Sequence, residues 1–482
     1  MSIPQLDAWQ FRLNRIPTSQ SVPVGDYSLE TGPDIELVDV SDRTGQPVGW
    51  LIGFPINLVE NETVTSGLKL PFELGANPDE FAEQVLSALG GRFLWIATLN
   101  GALRIYLDCF AMVPCVFDPV LKIAGSTADA LFDDAEYQER YDADAFKRFG
   151  VQGDGWFPAG LTAHRGLERL LPNHYLDLQT WTVKRHWPLR EIEVTPDPNG
   201  AVAEIVSLVQ QQLDILVKGE KKVAFALTAG RDTRLLLACA RSNTEQVTFT
   251  TVVGEDSHAT DSVMARTISR MYDLNHLELP RTTANQVDHD RYMRRGGHCM
   301  GDTNSWFHPS VHPIAKDHIM VGGLGGEVAR GFLWGTSDTE STVITAENLA
   351  GRMGLRSEPE LTPRLARWLD NAPVTNSLIM LDIAYIEQRM GPWAAAQFYS
   401  DPTMIRYHPL LTRRIVELML SLPNDWKRSA NFASEVIEQA WPELLKLPFN
   451  SLGMWKDTML KIQRAMSDPG LVIKKIRKVI NQ

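Results

Sequence analysis

Cysteine is scarce: four thiols (Cys109, Cys115, Cys239 and Cys299) in 482 residues. That is too few for a disulfide framework in a chain of this size, so four reduced thiols are expected. Basic charge is not in excess either. Lys and Arg number 47 against 59 Asp and Glu, a net charge of −12, which leaves no global positive field and excludes general nucleic-acid binding. No apolar run reaches the length that spans a bilayer. Residues 1–7 lack the basic-then-apolar order of a secretory signal, and a cytoplasmic location is the expectation. Internal repeats and low-complexity tracts are missing. What remains is an apolar content of 44% and a charged content of 22%, the balance of a globular protein, in a chain long enough for two or more domains.

The first 190 or so residues read as β-rich. Residues 48–55, 93–99 and 103–108 are strand-like, and Asn100-Gly101 between the last two is a tight-hairpin signal. Residues 78–89 read as an amphipathic helix with Pro78 at its start, and residues 166–178 as a second β-type run. Pro188 and the Pro/Asp/Gly-rich residues 195–200 then break the pattern. The domain boundary is placed there, giving units 1–195 and 196–482. Beyond it the period changes: Val202, Ile205, Val209, Leu213 and Leu216 fall on one helical face. Strand-like residues 223–227, 247–253, 276–279 and 318–323 alternate with helical segments such as 260–272, which predicts a parallel sheet with crossover helices. From about residue 346 the chain reads as mostly helical.

The most informative stretch is Thr228-Ala229-Gly230-Arg231-Asp232-Thr233, between the 223–227 strand and the apolar helix that follows. Such a turn collects backbone N–H groups and hydroxyls at a helix N-terminus, where a polyphosphate can sit. Asp232 adds a carboxylate able to hold Mg²⁺ beside the phosphates. No Gly-Lys-Ser/Thr follows, so this is not a Walker A loop. The alternative is an ordinary strand-to-helix turn with Thr228 or Asp232 capping the helix. Ala229 requires a negative φ, or strain.

The order strand, S/T-x-G-x-D-S/T, helix resembles the pyrophosphatase loop of the asparagine synthetase family, usually Ser-Gly-Gly-x-Asp-Ser. Other stretches carry the same resemblance. Gly91-Arg92-Phe93, then Asp108 and Val113-Pro114, is similar to the core of that family's glutaminase domain, and residues 166–174 to its G-I-x-R-L-x-P-G-H signature. Residues 322–332 resemble the GEGxDEhhxGY motif, with Glu327 on its second glutamate and Gly326 in place of its aspartate. Asp261 and Ala265 match the family's "D … A" helix, Arg389 and Trp393 its "R … W" helix, and residues 408–423 its P-L-L … E … L-P stretch.

The resemblance implies an α/β plus α+β protein. An N-terminal Ntn-hydrolase-like β-sandwich would precede a parallel-sheet PP-loop ATP pyrophosphatase domain with a helical C-terminal part. It implies an ATP-dependent, AMP-forming ligase that adenylates a carboxylate and passes it to an amine. Thr228, Ala229, Gly230, Arg231, Asp232, Thr233, Val253, Gly254 and Gly323 would bind ATP and pyrophosphate, and Asp232 and Glu327 would hold Mg²⁺. Ser2 stands where active glutaminases carry cysteine, which implies an N-terminal unit without ammonia production, as in β-lactam synthetases and lasso-peptide cyclases. The implied substrates are a specialised-metabolite, peptide or surface-glycan carboxylate and an amine. A catalytically degenerate nucleotide-binding scaffold and a true asparagine synthetase stay open as alternatives. Asn450 falls near the family's phosphate-contacting lysine; Lys427, Lys446 and Lys456 are substitutes, against their reading as solvated surface charges.

Two features stand apart. His298-Cys299 and His308 with His312 supply zinc-ligand types but no Cys-x-x-Cys, and polar loop residues near a substrate mouth are the plainer reading. Residues 470–480 form a basic amphipathic pattern that suits either an anionic membrane surface or packing on the domain with a solvated face. A homodimer is also open.

Overall fold

The computed structural model describes residues 4–254, 259–356 and 358–451. Ser2, Lys456 and the basic 470–480 stretch lie outside them. A six-stranded antiparallel sheet and an eight-stranded one, antiparallel except where Val38–Ser41 pairs with Leu68–Lys69, precede a five-stranded parallel sheet. The antiparallel sheets share one apolar layer. Phe11, Leu13, Leu29 and Phe117 of the smaller sheet meet Ile52, Leu94, Ile96 and Leu107 of the larger. Asn100 and Gly101 both adopt positive φ, so the long Leu89–Leu99 strand folds straight back into Ala102–Leu107.

The outer face of the eight-stranded sheet is covered by helix Pro78–Ala88. Asn77 caps it by accepting from the Asp79 and Glu80 N–H groups, and Phe81, Ala82, Val85 and Leu86 pack against Leu51, Phe93 and Trp95. Asp108 explains why its motif reads as it does. Its buried carboxylate accepts from the N–H groups of Phe93, Phe110 and Met112, pinning the turn after the Ala102–Leu107 strand. Burial outweighs those bonds and raises its pKa to about 6.

The parallel sheet runs in the order His276–Pro280, Thr248–Val253, Lys222–Ala226, His318–Val321, Ile405–Tyr407, every neighbour parallel. Chain order reverses beside the central Lys222–Ala226 strand, between it and His318–Val321. In such sheets ligands sit in the crevice beyond the strand ends at that reversal. The final strand, Ile405–Tyr407, has three residues and lies inside the region read as helical; three residues carry no legible period. Val223 and Phe225 pack in one core with helices Pro198–Lys218 and Arg231–Cys239, and Ala224 on the opposite face packs under Val311, Ile314 and Ala315.

Helix Pro198–Lys218 carries the expected face: Val202, Ile205, Val209, Leu213 and Leu216 are all fully buried. By length and a mean hydropathy of 1.2 it is also the one described helix apolar enough to cross a bilayer, although half of that window is buried in the protein. All four cysteines are buried and unbridged.

The π-helical turn Tyr385–Met390 ties the antiparallel and parallel parts together. Glu387, fully buried, accepts from Arg185 at 2.7 and 2.8 Å, from the Trp368 indole at 2.6 Å and from Asn173 at 2.9 Å. Arg413 in turn donates to Asn173. The 166–174 motif thus ends in an anchor that spans more than two hundred residues of sequence.

Lys427 corrects the sequence reading twice over. It is neither a surface charge nor aimed at the loop: it is 1% exposed and donates to Asp382 at 2.8 Å and to the Leu420 carbonyl. Lys446 is exposed, as expected.

Candidate functional site

The turn after the central strand is organised by its own side chains. Thr228 Oγ1 accepts from the Gly230 N–H at 3.0 Å and lies 2.9 Å from Thr233 Oγ1. The Ala229 N–H donates to Asp261 on the next helix at 2.9 Å. Ala229 is absent from the positive-φ residues, so the alanine sits there without strain. Gly230 precedes helix Arg231–Cys239, and no side chain caps it. The uncapped first-turn N–H groups of that helix therefore carry the partial positive charge of its N-terminus.

Asp232 is in the first turn, and its backbone is overlaid by the glycine run that follows the His318–Val321 strand. A Cβ on Gly323 would lie 2.8 Å from Asp232 Cβ and 2.9 Å from its carbonyl oxygen, and one on Gly326 would lie 3.3 Å from Asp232 Oδ1. Only glycine allows this approach. The structure therefore brings the 228–233 and 322–332 stretches together across the sheet reversal. Gly323→Ala should push the Asp232 backbone aside and weaken nucleotide binding about tenfold while the unfolding transition stays cooperative; calorimetry and circular dichroism on the same sample check both.

Glu327 also arrives at this place. One of its oxygens accepts from Arg330 at 2.8 Å, the same guanidinium lies 4.0 Å from Asp232, and Glu327 Oε2 is buried with no hydrogen-bond partner. Burial first, and the Glu327 charge second, raise the Asp232 pKa to about 6, with Arg330 and Arg231 opposing. Tyr385 contributes a phenol whose pKa is pushed far up by burial and by the Glu327 charge.

The sign of the Asp232 shift makes a stability prediction. A carboxyl with a raised folded-state pKa disfavours the folded state once it ionises. Asp232→Asn should therefore stabilise the protein above pH 6 and change little at about pH 3 and below, where both states are protonated. With the side chain 36% exposed, solvent screening reduces the gain to about 1 kcal/mol. Urea unfolding at about pH 3 and pH 8 measures it.

Two carboxylates of this kind fit a hard divalent cation that takes its other ligands from phosphate oxygens and water. The orphaned Glu327 oxygen and the desolvated Asp232 are what such an ion would satisfy. Among the described residues no group of three or more His, Cys, Asp or Glu is arranged to hold a metal. His298 packs against the Tyr137 and Tyr141 rings, and His312 faces Asp401 at 3.5 Å.

Sequence reasoning missed Arg234 and Arg330. Arg234 is fully buried and donates to the carbonyls of Leu447 at 2.6 Å and Pro448 at 3.1 Å. That clamp brings in Asn450, whose N–H donates to the Ala229 carbonyl at 2.8 Å and whose φ is +52°. The residue in the lysine's expected place does reach the loop. Arg231 leans away, over Phe449 and toward the Ala430 carbonyl. Val253 ends the Thr248–Val253 strand, and Gly254 lies against Arg281.

No protein-family model and no curated protein matches this chain. Among solved structures, an NH3-dependent NAD synthetase from Campylobacter jejuni, in complex with nitrate, is similar over 36% of this chain and 75% of its own, with 13% sequence identity and a TM-score of 0.19. A score that low does not show a shared fold, and the functional reading rests on the residues themselves.

Proposed function

We propose that this protein is an ATP-dependent ligase that joins a carboxylate to an amine, releasing pyrophosphate and AMP. The observation that carries the reading is the convergence, at the sheet reversal, of an uncapped helix N-terminus, two hydroxyls and two carboxylates. In this reading residues 1–195 are the glutaminase-like, Ntn-type unit without ammonia production, and residues 196–482 the PP-loop unit.

The chemistry asks for what these groups supply. A substrate carboxylate attacks the α-phosphorus of ATP, the bond to the β-phosphate breaks, and pyrophosphate leaves. An amine then attacks the acyl carbon of the adenylate, loses a proton and expels AMP. Charge accumulates on the departing pyrophosphate, so donors already in place lower the barrier. In this reading Thr228 and Thr233 donate to that group, and the Gly230 N–H does so on leaving the Thr228 hydroxyl. Ala229 and Arg231 shape the loop, and Val253, Gly254 and Gly323 border the nucleotide. Asp232 and Glu327 would hold Mg²⁺, which supplies charge neutralisation on the phosphates. Arg330 offsets the carboxylate pair before the ion arrives.

The substrates proposed are a specialised-metabolite, peptide or surface-glycan carboxylate and an amine, met in the cytoplasm. Peripheral membrane contact through residues 470–480 and a homodimer belong to the same proposal. Asparagine synthesis itself is the third reading. A nucleotide-binding scaffold is the second reading, favoured by Arg330 on the carboxylates and by Asn450 in place of a lysine. Calorimetry with ATP and Mg²⁺, followed by ATP–pyrophosphate exchange over a carboxylate panel, separates them. Binding with exchange supports the ligase, binding without exchange the scaffold, and no binding rejects both.

A further inference from the structure

A cavity of about 400 Å³ opens at the C-terminal edge of the parallel sheet, on the face opposite helix Arg231–Cys239. Val252 forms its floor, and Arg406 reaches it from the edge strand, where it is in register with Met320 on the same face. Arg281 enters from beyond the His276–Pro280 strand. It is fixed there by its own N–H on the Val253 carbonyl at 2.8 Å and by stacking 3.7 Å over the Phe307 ring. The remaining polar wall is Asn304, Gln397, His308 and Ser310.

That wall is built rather than accidental. Asn304 donates to the Gln397 side-chain carbonyl, the Tyr292 hydroxyl donates to the Gln397 backbone at 2.8 Å, and Ser310 accepts from the Thr282 N–H at 3.0 Å. Two guanidiniums border the cavity, and none of its described lining residues is Asp or Glu. Asp401, a buried carboxylate outside the lining, accepts from the Thr403 N–H, faces His312 and interacts with the Arg406 charge. A lining of this composition is complementary to a small oxyanion, because guanidinium forks match the geometry of carboxylate and phosphate.

The geometry points to this cavity as a second ligand site, holding the carboxylate or phosphate group of a small substrate. It opens at the same end of the sheet as the 228–233 loop, on the opposite face from the helix that would take the nucleotide's phosphates. The word substrate rests on the ligase reading; the binding of an anion does not. Neither Arg281 nor Arg406 falls in the motifs that carry the family resemblance, so the site belongs to this chain's own residues.

The experiment titrates the full chain by calorimetry, without nucleotide, with inorganic phosphate, with succinate and with neutral succinamide. Arg281→Met and Arg406→Met are titrated in parallel and then with ATP and Mg²⁺. The expected result is saturable binding of succinate or phosphate, none of succinamide, at least tenfold weaker anion binding in each variant, and ATP binding unchanged in Arg406→Met. Succinate binding tighter than phosphate assigns a carboxylate, and the reverse assigns a phosphate. Because Arg406 sits in a strand, Arg281→Met, outside the sheet, decides if the other variant fails to fold. Anion affinity unaltered in the variants, or no anion binding by the unmodified chain, overturns the site. ATP failing to bind while the anion still does would instead overturn the ligase reading alone.

Discussion

Asp232→Ala is expected to lower ATP–pyrophosphate exchange at least a thousandfold while the unfolding midpoint stays within a degree or two. The side chain is partly exposed, makes no hydrogen bond among the described residues, and lies 4.0 Å from Arg330. Removing it costs little packing. It would remove one of two carboxylates positioned for Mg²⁺ at the start of the helix. A transition state that gathers charge on pyrophosphate loses several kcal/mol of stabilisation in that case, and each ~1.4 kcal/mol is a factor of ten. The pH profile adds a second readout. With its pKa raised to about 6, Asp232 should be protonated below that pH and exchange should fall there. Glu327→Gln should reduce exchange less, since Arg330 already shares that carboxylate. Undiminished exchange in Asp232→Ala refutes the assignment.

Glu387→Ala carries the largest expected effect on stability, about 3–5 kcal/mol, because removing one partner leaves the other charge buried and uncompensated. Arg185, 9% exposed in its side chain, would lose its acid, and the Trp368 indole and Asn173 amide would lose their acceptor. The link between the antiparallel and parallel parts would be the first to open. Glu387 is held below its ordinary pKa although burial works the other way, chiefly by the Arg185 charge, then His174 and the hydrogen bonds from Arg185 and Asn173. A depressed acid stabilises above its unfolded pKa and loses that contribution as pH falls through the folded value. Glu387→Gln should therefore flatten the acid limb of the stability curve. Equal urea midpoints for the parent and Glu387→Ala would show that the two parts are held elsewhere.

Local patterns in the sequence survived into three dimensions. The 3.6-residue spacing of Val202 through Leu216 became a buried face, Asn100-Gly101 became the hairpin, and the loop appeared between strand and helix where its residues placed it. What failed to show was most of the pairing across long sequence distance. Arg234, Arg330 and Lys427 were passed over or misjudged because a cation in a sequence is by default a solvated one. Only the fold supplies Leu447, Asp232 and Asp382 as their partners. The Ile405–Tyr407 strand was invisible because three residues between helices show no alternation, and its place is fixed by the Ile319↔Ile405 pairing. The meeting of Gly323 with Asp232 was legible only through the family motifs, since ninety residues separate the two.

The central claim is that the turn ending the Lys222–Ala226 strand cradles the phosphates of ATP. A crystal structure with a non-hydrolysable ATP analogue and Mg²⁺ tests it most directly. Phosphate oxygens are expected on the first N–H groups of helix Arg231–Cys239, with the Thr228–Thr233 hydroxyl contact opened and a metal ion between Asp232 and Glu327. Nucleotide density elsewhere, or an empty crevice under saturating analogue, would contradict it.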